Sequence, residues 1–428
     1  MVRASCQRAI ENFRSANPTE FPTMAAPLTA IPGHTGRIDS ASRAGTRTMA
    51  AEWPIYAIVA ASTCIAVGLI WDISWHRTIG RDTFWSPPHL LEQIAAVVAG
   101  LSCAWIALRT SFGNDRVAES RSVRFWKFFH APLGIWVCIW GTVMMITSAP
   151  FDNWWHNAYG LDVKIISPPH IILLMGMLGI QIGAMLLALA AQNRATSERD
   201  RSRLGMIFAY SAAVVVVMMT IMLMEDAGFA NEMHGSGFYK ATAAVLPLFL
   251  VAFARSSRLS WPATRIAACY MAIVILSIWA LQLFPAQPML APIYNAVTSM
   301  VPHPFPLLLV FPALAFDILM RRAGATHDWL LSAALGVTFV AVMIGIHWYW
   351  AEFMLSPAAR NFVFGADQWD YTERLGPWRY EYWNVDKDAR GNLSVPTLAA
   401  GLGMAAIFAT VGSRAGLWWG KGMSRVKR

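Results

Sequence analysis

Apolar residues come along this chain in long blocks separated by short polar breaks. Ten blocks, near 54–73, 88–109, 128–149, 169–192, 205–224, 238–254, 266–285, 303–320, 328–350 and 396–415, approach the about 20 mostly apolar residues that carry a helix across a bilayer. The predicted fold is therefore all-α: a polytopic integral membrane bundle of about ten transmembrane helices arranged in hairpins. The block at 238–254 is the shortest. Residues 1–50 break the pattern, being rich in Ala, Thr, Pro, Ser and Arg without a long apolar core. They match no signal peptide and are expected to be a disordered tail, or an over-long start with Met49 as the true first residue.

The polar positions orient the bundle. Arg109, Arg116, Arg121, Arg124 and Lys127 lie in one break, Arg194, Arg199, Arg201 and Arg203 in another, and Arg255, Arg258, Arg265, Arg321 and Arg322 in two more. The alternate short breaks carry only Arg77, Arg81, Lys164 and Lys240. Lys and Arg favour cytoplasmic loops, so the first set and both termini are expected on that side. The regions expected are 51–192, a duplicated hairpin region of four spans, and 193–428, a further six spans with one sizeable outer loop at 351–395. That loop is expected to fold as an aromatic cap on the interface.

Composition agrees. Of 428 residues 56% are hydrophobic and only 14% charged, against about 25% in soluble domains. The 20 Trp fit interface anchoring. A net charge of +9 is accounted for by cytoplasmic loops and does not call for a nucleic-acid partner. The five Cys are scattered without C-x-x-C, which argues against a disulfide framework and a thiolate metal site.

The chemistry gathers at one end. His76, His89, His156, His170, His234, His303 and His347 fall near the outer ends of spans, with Asp72, Asp82, Asp152, Asp162, Glu225, Asp226 and Glu232 on the same side. Ionisable groups at membrane depth are costly and usually mark function. In "WDISWHRTIGRDTFWSPPH" Asp72 and His76 are four apart, on one face of a helix. Pro87 and Pro88 suit a helix's first turn, so the hairpin folds His89 back toward that pair. One carboxylate and two imidazoles would converge; imidazole suits copper, zinc and iron alike, and a carboxylate favours harder ions or tunes the site. Asp82, Ser86 and Trp75 would stand behind them and orient the imidazoles. "FDNWWHNAYGLDVKIISPPH" repeats the pattern with Asp152, His156 and His170, and with Asp162 in the turn. The competing reading of both is a duplicated helix turn with polar caps.

The first stretch, extended to Glu92, resembles the copper-binding segment of the C subunit of particulate methane and ammonia monooxygenases. That family spaces its ligands D-x3-H-x12-H, as do Asp72, His76 and His89; Arg81-Asp82-Thr83 and Glu92 also match. Its second site is spaced N-x3-H-x13-H, as are Asp152, His156 and His170, with Asp in place of Asn. The resemblance covers about residues 54–192. It implies copper at these residues, oxygen-dependent hydroxylation of a small substrate, and additional membrane or periplasmic subunits in a bacterial inner membrane. The family subunit is shorter, and this chain adds about five spans. The alternative is copper uptake, storage or delivery without catalysis; a structural or transport role is third.

Other residues carry weaker signals. Glu225, Asp226, Glu232 and His234 could form a further metal site or proton path, or only a polar turn. "VPHPFP" places His303 at a helix start; His347 is expected in the interfacial belt and His130 at a helix start. The Met run at 218–224 is expected to pack helices. Phosphate loops, haem-attachment and hydrolase signatures are absent from the sequence.

Overall fold

The computed structural model describes residues 36–80, 83, 85–159, 167–324 and 327–428, and for 36–52, His156, Glu225 and Asp226 the backbone alone. Met1–Ala51 and Glu52–Arg428 are separate compact units. In the first, 36–50 are helical, inside the stretch expected to be a disordered tail; residues 1–35 lie outside the described residues.

Ten principal helices follow: α1 (Gly36–Thr78), α2 (Pro87–Phe112), α3 (Leu133–Tyr159), α4 (Pro168–Arg194), α5 (Glu198–Met222), α6 (Ser236–Ser256), α7 (Pro262–Gln282), α8 (Val310–Arg322), α9 (Asp328–Leu355) and α10 (Val395–Met423). Among the described residues nine helices are long and apolar enough to cross a membrane, α8 being the exception and Trp53–Thr78 the qualifying part of α1. A two-stranded hairpin, β1 (Val123–Phe125) with β2 (Phe129–Ala131), is the only sheet among them. His130 sits on β2, where its backbone N–H donates to Ser111 Oγ at 2.8 Å, and not at the helix start expected of it.

The helices are apolar on both faces. On α2 the exposed residues Ile94, Val97, Leu101, Trp105, Leu108 and Phe112 form one stripe at helical spacing, while Glu92, Ala95, Ala96, Ala99 and Cys103 are buried on the other. A stripe of large apolar side chains facing outward is what lipid contact requires. α5 is buried all round, Val214 to Met218 having no exposed surface, so the Met run here is packing. α3 packs along α4, and α6 along α10. Both contacts run over glycines. A Cβ on Gly141 would lie 2.7 Å from the Gly176 carbonyl oxygen, and one on Gly416 2.7 Å from that of Leu248. Small residues let membrane helices approach backbone to backbone, which substitutes for a hydrophobic driving force.

The apolar block at 303–320 is not a spanning helix. Val301–Leu308 is neither helix nor strand, Leu309 makes a turn, and helix begins only at Val310. Pro302, Pro304 and Pro306 explain this: each lacks an N–H and pushes its predecessor out of the helical region. His303 is thus seven residues before a helix, not at its start. Three backbone donors of this passage are taken by other helices: Val301 N–H by Thr78 Oγ1 at 2.7 Å, Leu307 N–H by the Tyr270 hydroxyl at 3.1 Å, and Leu308 N–H by His347 Nε2 at 3.1 Å. Irregular backbone survives at membrane depth only with such partners. His347 is fully buried for this purpose and does not lie in the belt.

One end of the bundle is covered by two loops, not one. Leu283–Leu309 and Ser356–Ser394 interlock: Tyr294 and Asn295 N–H both donate to the Tyr371 carbonyl, and Tyr371 N–H donates to the Arg77 carbonyl at the end of α1. Asp386 from the second loop accepts from Ser236 N–H and Oγ, each at 2.7 Å, and so caps α6.

Candidate metal centre

The first hairpin forms because α1 ends at Thr78 and α2 restarts at Pro87. Gly80, with φ of 104°, makes the turn and leaves room for the Tyr371 hydroxyl, which a Cβ would approach to 2.7 Å. Asp72, one turn before His76, faces α2. Its Oδ1 lies 3.2 Å from His89 Nε2 and its Oδ2 3.8 Å from His76 Nε2. The helical spacing and the Pro-led return therefore bring all three groups together. Arg81 and Asp82 lie outside the described residues. Thr83, between them and α2, places its carbonyl oxygen 3.1 Å from His89 Nδ1.

That contact sets the ring's chemistry. Nδ1 carries its proton toward the Thr83 carbonyl, which leaves the Nε2 lone pair facing a carboxylate oxygen. Two acceptors 3.2 Å apart require a cation between them, either a proton or a metal ion. Ligand atoms held about 2.0–2.1 Å from one ion stand roughly 3 Å apart; the His89–Asp72 separation is near that, and the His76–Asp72 separation of 3.8 Å is wider. As they stand, no three His, Cys, Asp or Glu among the described residues are assembled to hold one. Asp72 is the hub, with an imidazole on each oxygen.

Glu92 lies one turn below His89 and is buried against α1, where Gly68 makes its space: a Cβ there would meet Glu92 Cγ at 2.6 Å. Ser86 is the buried N-cap residue of α2, but its hydroxyl does not cap the helix.

The second hairpin repeats the first contact. Asp152 near the end of α3 places Oδ1 3.5 Å from His170 Nε2 at the start of α4. Pro168 and Pro169 again occupy the first turn. The His156 side chain and Asp162 lie outside the described residues.

The third polar turn is built differently. The His234 ring is stacked between Tyr382 and Trp348, with centroids 3.6 and 3.8 Å away, and its Nε2–H donates to the Trp348 carbonyl at 3.0 Å. Burial pushes this imidazole below its ordinary value of 6.5, against the raising effects of that hydrogen bond and of Glu352. It is a clamp between cap and bundle. The Glu225 and Asp226 side chains lie outside the described residues, and Glu232 is buried.

Two residues that sequence reasoning passed over belong to this end. Arg77, counted only as a loop charge, donates from Nη1 to the Pro302 carbonyl at 2.6 Å and pairs through Nε with Asp370. Trp369, seen only as part of an aromatic loop, is buried and lines a cavity beside Arg77. Arg77's position one residue after His76, about 100° further round the helix, is the available signal for the first; nothing local marks the second. The chain matches no family model, no curated protein and no solved structure.

Proposed function

We propose that the protein is an integral membrane copper-binding protein whose first hairpin holds the ion through Asp72, His76 and His89. The observation that carries this reading is the His89 ring, oriented by the Thr83 carbonyl so that Nε2 confronts Asp72 Oδ1 at 3.2 Å. Metal-binding imidazoles typically give their other N–H to a carbonyl or carboxylate in this way. Asp152, His156 and His170 would form a second site on the repeated hairpin. The zwitterion of a carboxylate and protonated imidazoles is the competing occupant, and zinc or iron the competing metals.

Bound copper would supply one-electron chemistry toward molecular oxygen. The chain's own part would be to hold the ion with two imidazoles and one carboxylate, keep His89 in one tautomer, and bury Glu92 beneath it. On this reading, and with the resemblance to methane and ammonia monooxygenases, the protein is a copper-dependent oxygenase acting on a small substrate, with partner subunits. Copper uptake, storage or delivery is the second reading, favoured by His76, whose side chain is 50% exposed and open to exchange. We place the hairpin tips on the outer face of a bacterial inner membrane, with both termini and the Arg-rich loops inside and a tenth passage made by the non-helical segment and α8.

Metal analysis by mass spectrometry on purified protein tests the core of this. Copper in the wild type that falls in His76→Ala/His89→Ala, and again when His156→Ala/His170→Ala is added, supports two hairpin sites. Equal metal in all variants, or none in well-folded wild type, removes the metal reading and the oxygenase with it. Oxygen uptake that requires copper and a reductant then separates catalysis from handling.

A further inference from the structure

We propose that the hairpin of β1 and β2 is a binding site for anionic phospholipid, with Trp126 and Phe128 set at the headgroup boundary and Arg124 and Lys127 on the phosphate. It stands at the far end of α2 from the first metal hairpin and does not rest on the metal reading.

The strands sort their side chains by alternation. Val123 pairs with Ala131 and Phe125 with Phe129, and these four share one face; Arg124 pairs with His130 and takes the other. The apolar face turns toward the helix ends. The Phe125 ring lies 5.1 Å from Trp136 and 6.2 Å from Trp140 at the start of α3, the Phe129 ring 6.1 Å from Phe112 at the end of α2, and Trp136 Nε1–H donates to the Val123 carbonyl at 3.0 Å. The hairpin therefore continues the outward apolar surface of those two helices, on which Trp105, Leu108, Phe112, Trp140 and Val143 are exposed.

The tip is aromatic where water would call for polar residues. Phe128 N–H donates to the Trp126 carbonyl at 2.8 Å, closing a turn with Trp126 and Lys127 at φ of 46° and 67°. Asn and Gly ordinarily take such positions. This turn instead presents Trp126, 68% exposed, and Phe128, 55% exposed. A Trp projecting beside lipid-facing helix ends belongs at the headgroup level.

Charge selects the lipid. Arg121, Arg124 and Lys127 are exposed and form no ion pair among the described residues. The acids of the same loop are used locally: Asp115 Oδ1 accepts from Val117 and Ala118 N–H, and Glu119 Oε1 stands 3.5 Å from His130 Nε2. Arg121 also lies near enough to Arg194, at the end of α4, for the two guanidinium charges to repel. A zwitterionic headgroup brings a cation of its own to this cluster; an anionic one does not. Acyl chains give Trp126 and Phe128 an apolar partner, which a free phosphate or a nucleic acid lacks. Anionic lipids enrich the cytoplasmic leaflet, the side on which we place these loops.

The test puts a photoreactive benzoylphenylalanine in place of Trp126 in the full chain. The protein is held in nanodiscs of equal parts phosphatidylglycerol and phosphatidylcholine with the same acyl chains, illuminated, and its adducts weighed by mass spectrometry. Lipid adducts should form, with phosphatidylglycerol favoured by at least about fivefold, the factor one basic residue near the surface carries. Arg124→Gln/Lys127→Gln should bring the ratio of the two lipids close to one. Arg199→Gln/Arg255→Gln, which removes as much exposed charge at the ends of α5 and α6, should leave it unchanged. Adducts with a second copy of the chain in place of lipid, or no lipid adduct, overturn the proposal. So do equal yields of the two lipids in the otherwise unaltered chain, a ratio that survives Arg124→Gln/Lys127→Gln, or the same loss in both double variants.

Discussion

Arg77 ties the first helix to both cap loops, through Asp370 in one and the Pro302 carbonyl in the other. Arg77→Met keeps the length and apolar stem but leaves a carboxylate and a carbonyl without their donor. We expect a loss of about 2–3 kcal/mol in stability, read as a lower unfolding midpoint in detergent. His347 tests the same principle inside the bundle. Its Nδ1–H goes to the Met343 carbonyl and its Nε2 accepts from Leu308 N–H, so the ring is satisfied on both sides. His347→Phe should cost about 1–3 kcal/mol, and His347→Gln, which keeps an acceptor, should recover much of it in the same melt. Spacing made Asp72, His76 and His89 legible, because four residues on a helix and a Pro-led return leave few arrangements. The partners of His234, His303 and His347 were not legible, because they lie 39 to 114 residues away or in a neighbouring carbonyl.

Helix α3 and helix α4 meet backbone to backbone. A Cβ on Gly141 would come within 2.7 Å of both the Gly176 carbonyl oxygen and the Ile180 nitrogen, neither of which can swing aside. Gly141→Leu should therefore cost more than the about 1–3 kcal/mol of ordinary overpacking, measured by thermal unfolding in detergent. Gly403→Leu on α10, where a Cβ meets nothing within 4 Å, is the control and should change stability by less than about 0.5 kcal/mol. Nine of the ten apolar blocks became helices long enough to span, since a backbone in lipid has to satisfy its own hydrogen bonds. The tenth did not, because hydropathy measures transfer to lipid and is blind to whether the prolines leave N–H groups to bond.

At the scale of the whole molecule, His234 clamps the cap to α9 between Trp348 and Tyr382. Its folded value lies below the ordinary 6.5. The unfolded chain therefore takes up the proton first as pH falls, so the stability it contributes is present above 6.5 and declines below it. Unfolding midpoints measured at about pH 8 and about pH 5.5 should fall on acidification, and fall less in His234→Phe. The sequence by itself determined that the chain is an all-helical membrane bundle with its imidazoles and carboxylates drawn to hairpin tips. Those features rest on local rules: apolar length, helical periodicity, and proline at helix starts. Only the tertiary structure decided that two loops interlock into one cap, that Arg77 reaches that cap while Asp72 on the same helix meets His89, and that a non-helical passage borders a cavity. Each depends on which distant backbone group meets which side chain, and that is settled by close packing between helices far apart in the chain.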